Sequence, residues 1–272
     1  MERRERIIAA ILIGAIVVVG CVAGAWYYAG HSHDHGAQKQ TLLVYSGAGL
    51  KCAMDELGGE FEDETGVDMD IIYGGSGHIF GQLSTSKRGD VFIPGADYYT
   101  RRGIEEGLLY ENLTRNVTYH IPCILVQEGN PKNITSLEDL ARPGIKVALG
   151  GVKECAIGRL SKKMLEKQGL YEEIKANNLE VTTATVNELL THVAIGTVDA
   201  VIVWEDNVGT LMEQGKVDAV EIEPSKNIIK TIPVSVTRYT KNQELAKEFM
   251  DFACSKKGLE IWEENGFKPY AG

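Results

Sequence analysis

The chain has 272 residues, 44% of them hydrophobic and 24% charged, which is the balance of an ordinary globular protein. Its formal net charge is −10. That excludes the broad basic face on which nucleic-acid binding usually depends, but not a small buried anion, which N–H and hydroxyl dipoles can hold without a counter-charge.

The N-terminus reads as a signal or membrane anchor over residues 1–30. MERRER is followed by an uncharged run from Ile7 to Gly30. A bilayer needs roughly 20 apolar residues, so the run is long enough to span one. Trp26, Tyr27 and Tyr28 stand at its far end like an interfacial belt, and the basic flank predicts that the remainder lies outside. Two fates are open. VVGC resembles a lipobox, with Cys21 as the lipidated residue; otherwise the segment stays as an uncleaved anchor. Both predict an exported protein held on the outer face of the cytoplasmic membrane. The segment is set apart from the fold. Residues 31–40, HSHDHGAQKQ, read as a tether, in which His31, His33 and His35 are solvated rather than metal-binding.

Thr41 onward alternates strand and helix. TLLVYSGAGL is a strand with a glycine turn. KCAMDELGGEFEDETG is a helix, with Met54, Leu57 and Phe61 at helical spacing. VDMDIIYGGSG is a strand and a second glycine turn, HIFGQLSTSKRG a short helix, and DVFIPGAD a strand with a third turn. This order predicts a mainly parallel sheet, whose ligands bind beyond the carboxyl ends of the strands. In YGGSGHIFGQL, three glycines surround Ser76 where a helix begins. Free N–H groups and the positive helix end make such a turn an anion seat, and the serine is placed to cap the helix.

A second β-α-β unit follows. PGIKVALGG and LEVTTATV are strands flanking a helix from about 158 to 168, and VNELLTHVAIGTVDAVIVWED is helix, turn, strand. YHIPCILVQEG and IKTIPVSVTRYT each lead from Ile-Pro into an alternating apolar strand. They predict two crossings, near 119–127 and 230–237. The expected fold is α/β with two lobes and a cleft: 41–118 with 238–272 in the first lobe, 119–237 in the second. The closing helical stretch, with Leu245, Phe249, Phe252 and Ala253 on one side, is expected to pack on the first lobe. Five cysteines, Cys21, Cys52, Cys123, Cys155 and Cys254, have no zinc-like or CxxC spacing. Asn112, Asn116 and Asn133 open N-x-T sequons.

Taken in order, SGAGL, GGSGHIFGQL, DVFIPGAD, YHIPCILV, VALGG…CAIGR, DAVIVWEDN and the tail ending in NGF resemble the type II periplasmic solute-binding proteins of ABC importers, in their molybdate- and tungstate-binding branch. The resemblance covers Thr41 to Tyr270. It implies no enzyme activity and no cofactor, an ABC permease with its ATPase as partners, and a monomer. It also implies five segments around a tetrahedral oxyanion. The first usually carries a serine where this chain has Gly49, leaving backbone N–H groups or Ser46 as donors. The others fall on Ser76, Ala156, Val186 and Trp204, the last replacing a tyrosine and exchanging a phenol O–H for an indole N–H. Some relatives add two carboxylates to the metal; Glu154 and Glu205 are the candidates here, with solvated rim charges as the plainer reading. Lys153 and Arg159 read as rim charges that steer an anion or as plain surface, and Cys155 as packing.

Two alternatives accompany this reading. The same receptor could take another anion or ferric iron, for which Tyr98 and Tyr99 form a tyrosine pair. Less favoured is a cleft hydrolase built on Ser76, His78 and Asp97, because two residues on one turn rarely reach triad geometry.

Overall fold

The computed structural model describes residues 40–271. The anchor segment, Cys21 and the tether histidines lie outside the described residues. The unit beginning at Thr41 is compact by itself. No helix among the described residues is long and apolar enough to cross a membrane.

The first sheet is built on β1 (Thr41–Gly47), β2 (Asp68–Gly74) and β3 (Val91–Ile93). β1 runs parallel to both neighbours, with Gly47 opposite Gly74 and Ser46 opposite Ile93. The three strand ends are therefore level, and their turns share one edge. β4 (Leu109–His120), β10 (Lys230–Thr237) and β11 (Lys268–Pro269) complete it antiparallel, in the order β11-β4-β10-β3-β1-β2. The sheet is thus mixed rather than mainly parallel.

Alternation along β1 serves two cores. Leu42 and Val44 face α1 (Lys51–Thr65) and the C-terminal helices α8 (Gln243–Ala253) and α9 (Lys256–Glu264). Tyr45 faces α2 (Ser76–Ser86) and α3 (Asp97–Glu105), with Ile79, Phe80, Leu83 and Phe92. Met54, Leu57 and Phe61 are buried as their spacing predicts, and Phe61 meets Phe249 edge-on at 5.2 Å between ring centres. α1 ends at Gly66, whose φ of +71° is the left-handed cap that glycine adopts without strain. The tail does pack on this lobe, but as two helices. Ser255 caps the second by accepting the Gly258 N–H, which breaks the expected single run.

The second sheet has the order β7-β6-β8-β5-β9. It comprises β5 (Pro122–Gln127), β6 (Val147–Gly150), β7 (Leu179–Thr183), β8 (Ala200–Trp204) and β9 (Val217–Glu221). Around one core it packs α4 (Ala156–Lys167), α5 (Tyr171–Asn177), α6 (Val186–Ala194) and α7 (Gly209–Glu213).

The lobe boundaries differ from those expected at 119 and 237. Residues 119 and 120 still belong to the first sheet, so the chain changes sheet at Ile121. The return comes before β10, which pairs along its length with β4. The reason is geometric: the Ile-Pro of 121–122 separates two strands, whereas the Ile-Pro of 232–233 sits at a register shift inside one.

Candidate functional site

The level turns of the first sheet face the second lobe across a small cavity. It is lined by Gly47 to Leu50, Gly74 to Ser76, Gly95, His120, Cys155, Ala156, Thr185, Val186 and Trp204. Its enclosed space is about 20 Å³, above the roughly 10–15 Å³ that one water needs and far below the roughly 300–1,000 Å³ of organic-ligand pockets. Gly49, Ser76, Ala156, Val186 and Trp204 all lie on its wall.

Helical N-termini supply most of that wall, two from each lobe. A short 3₁₀ turn at Ala48–Leu50 leads into α1, and α2 opens at Ser76. From the other lobe α4 opens at Ala156 and α6 at Val186. The first N–H groups of a helix lack intrahelical acceptors and carry its positive end. At α6, Thr185 accepts the Glu188 N–H while the Glu188 carboxylate returns to Thr185 Oγ1 and the Ala184 N–H, a capping box. That box serves the third helical N–H and leaves the first for the cavity.

Ser76 does not cap its helix. It is the first helical residue, Gly75 holds the cap position, and no side-chain cap bond is made. Its buried Oγ accepts the Gly95 N–H at 3.0 Å and donates to nothing among the described residues. One lone pair is thereby engaged, and the hydroxyl proton remains for a ligand that only accepts.

His120, at the end of β4, is a site residue that the sequence reading misses. It is 1% exposed. Its Nδ1 lies 2.7 Å from Gly95 O, and its Nε2 lies 3.1 Å from Asp206 Oδ1. Gly95 O can only accept, so the ring donates its Nδ1–H there, while Nε2 lies against the Asp206 carboxyl group. Asp206 in turn accepts from Asn207 Nδ2 at 2.8 Å. The available signal was a lone histidine closing the strand just before Ile121–Pro122, with Asp206 two residues after Trp204; only the tertiary fold joins them.

No carboxylate lines the cavity. Glu154 turns its carboxylate back to the Lys153 N–H, and Glu205 pairs with Lys268 at 3.1 Å on a separate, wider groove. Ser46 is fully buried below the wall, where its Oγ reaches Gly47 O at 3.4 Å. Cys155 is on the wall. Burial pushes its thiol up to about 11, against the opposing pull of the Gly158 and Ile157 N–H groups, so it adds no negative charge at neutral pH.

The remaining candidates go elsewhere. Tyr99 donates to Lys153 O and accepts from Arg159 Nη2 at 3.1 Å, and the Arg159 guanidinium lies over Tyr98. Asp97 pairs with Arg101 and Lys230. The Ser76 hydroxyl contacts Gly95, not His78. Among the described residues no group of three or more His, Cys, Asp or Glu could hold a metal ion, and Cys52, Cys123, Cys155 and Cys254 are free.

Residues 42–268 match the family described as bacterial extracellular solute-binding protein. The molybdate-binding protein ModA of Mycobacterium tuberculosis is 25% identical over 262 residues, covering 96% of this chain and 95% of that protein. The periplasmic molybdate-binding protein of Azotobacter vinelandii shares the fold with a TM-score of 0.71 at 19% identity, covering 83% of this chain and 98% of that one. The sulfate-binding protein SubI of M. tuberculosis does so at 0.76 and 17%, covering 85% and 88%. A match over so much of the length, on two lobes around a cleft, makes this chain a member of the bacterial extracellular solute-binding protein family, a binding component of ABC transporters and not an enzyme.

Proposed function

We propose that the chain captures molybdate or tungstate outside the cytoplasmic membrane and delivers it to an ABC permease driven by its ATPase, acting as a membrane-anchored monomer. The observation that carries this is the makeup of the cavity: four helical N-termini, the Ser76 hydroxyl and no carboxylate. A tetrahedral dianion presents acceptors only, and such a wall presents donors. Hydrogen bonds to a charged ligand are roughly twice as strong as neutral ones, so aimed dipoles suffice without a full counter-ion at each oxygen. The relation to M. tuberculosis ModA supports the choice of anion.

On this reading Gly49, Ser76, Ala156, Val186 and Trp204 bind the oxyanion, and the His120 ring closes the wall beside Trp204. Glu154 and Glu205 stand off the cavity, which favours four-coordinate over six-coordinate metal. Discrimination against sulfate rests on size. Ferric iron is disfavoured, because its usual phenolate ligand is represented by Tyr99, whose hydroxyl is already held by Lys153 O and Arg159. The hinge consists of Ile121 and the segment between β9 and β10, where the backbone passes between sheets.

Calorimetric titration of the chain from Thr41 onward tests the reading. Molybdate or tungstate should bind with one site per chain, and sulfate far more weakly. Heat with sulfate alone would make this a sulfate receptor, and heat with none of the three would reject the oxyanion assignment.

A further inference from the structure

Two of the glycines beside Ser76 have no conformational reason to be glycine. Gly75 sits at φ −59°, ψ 143°, which any residue adopts, and Gly77 lies within the first turn of α2. Neither is among the positive-φ glycines. Their surroundings explain them. A Cβ at Gly77 would stand 1.8 Å from Lys153 O, and one at Gly75 would stand 2.4 Å from Ala184 O and 2.5 Å from Glu154 O. All of these are backbone atoms of the second lobe, which cannot swing aside as a side chain can. The Gly77 N–H also donates across the cleft to Glu154 O at 2.9 Å.

We infer that Gly75 and Gly77 are closure residues: the bare start of α2 presses on the backbone at 153–154 and 184, and the lobes shut over the ligand only because both positions lack a side chain. This rests on the reading that the chain is an oxyanion receptor that closes on its ligand. The contact belongs to the closed arrangement alone. With the lobes apart, alanine at 77 meets no foreign backbone and favours the helix more than glycine does. Alanine at either position therefore penalises closure while sparing the fold. An anion seat shared by two lobes then loses apparent affinity in proportion to the lost closed population.

α2 provides its own control. Gly81 lies in the same helix, and a Cβ there meets nothing within 4 Å. Gly75→Ala, Gly77→Ala and Gly81→Ala are compared with the unsubstituted chain by molybdate titration and by small-angle scattering with and without ligand. The ligand-free melting temperatures of Gly77→Ala and Gly81→Ala should match or exceed that of the parent, and that of Gly75→Ala should fall only slightly, as alanine at a cap position costs. Gly81→Ala should bind and compact as the parent does. Gly75→Ala and Gly77→Ala should bind at least about tenfold more weakly and stay expanded.

A Gly77→Ala chain that binds within about twofold of the parent and compacts equally overturns the inference. So does a loss in Gly81→Ala as large as that in Gly77→Ala, which would place the effect in the helix rather than at the lobe contact. If the parent does not respond to molybdate, the oxyanion assignment has failed, and the comparison proceeds with tungstate, sulfate or inorganic phosphate, whichever compacts it. A parent that compacts with none of these overturns both.

Discussion

The imidazole of His120 lies face to face with the indole of Trp204, with ring centres 3.8 Å apart and planes within 12°. One ring ends a strand of the first sheet and the other ends a strand of the second. The stack thus joins the lobes at the back of the cavity, and Asp206 fixes the outer edge of the imidazole. A buried polar group left without its hydrogen-bond partner costs roughly 1–3 kcal/mol. His120→Gln should therefore lower the melting temperature and also weaken oxyanion binding, since it breaks the contact with Asp206 and removes the Nδ1–H donor to Gly95 O. A variant that melts and binds as the parent does would remove His120 from the account.

Ser76→Ala isolates one hydrogen bond. The hydroxyl accepts from Gly95 and has its proton free. Bonds to charged groups contribute about 1.5–3 kcal/mol, so the dissociation constant should rise about 10- to 150-fold, with a smaller effect on stability. Titration of the variant with molybdate measures it. An unchanged constant would mean that the ligand lies elsewhere.

Gly49→Ser would restore the hydroxyl that the resemblance leads one to expect there, yet it should weaken binding. A Cβ at this position would meet Asn207 Oδ1 and Val186 Cγ1, each at 2.8 Å, and Asn207 Nδ2 donates to Gly49 O at 2.7 Å. Asn207 occupies the volume that a serine side chain would need. Tighter binding by Gly49→Ser would show that this contact yields readily.

The thiols give a pH test. Burial raises Cys155 to about 11 and pushes Cys123 further up, whereas Cys52 is exposed. A maleimide at neutral pH should modify Cys52 and spare Cys123 and Cys155, as peptide mass mapping would show. The raised thiols favour the fold most below their ordinary value of 9.0, and that contribution is lost as pH rises through about 11. Stability should therefore fall across that interval. Rapid labelling of Cys155 at neutral pH would contradict its burial.

Regular elements with short-range patterns were legible in the sequence. The strand-turn-helix order up to Ile93, the helix at Met54–Phe61 and the tail on the first lobe all follow from periodicity. The long strand β4 did not show itself, because Leu109, Leu113 and Val117 recur every fourth residue, a spacing that fits one face of a helix as well as one face of a strand. At the cavity, the glycine turns after β1 and β2 announce the helix starts of the first lobe, whereas Ala156, Val186 and Trp204 were reached only through the family resemblance. His120 with Asp206 could not, since residues 86 apart in the chain meet only through the fold. Ser46 misled because a serine beside a glycine turn looks available until strand alternation turns it inward.

Metal analysis after equilibration tests the central claim most directly. The chain from Thr41 onward is exposed to equal molybdate, tungstate and sulfate, freed of unbound anion and assayed for molybdenum, tungsten and added sulfur. The account predicts close to one equivalent of molybdenum and tungsten together, with negligible bound sulfate. Protein that emerges with neither metal, or with sulfate in their place, would contradict it.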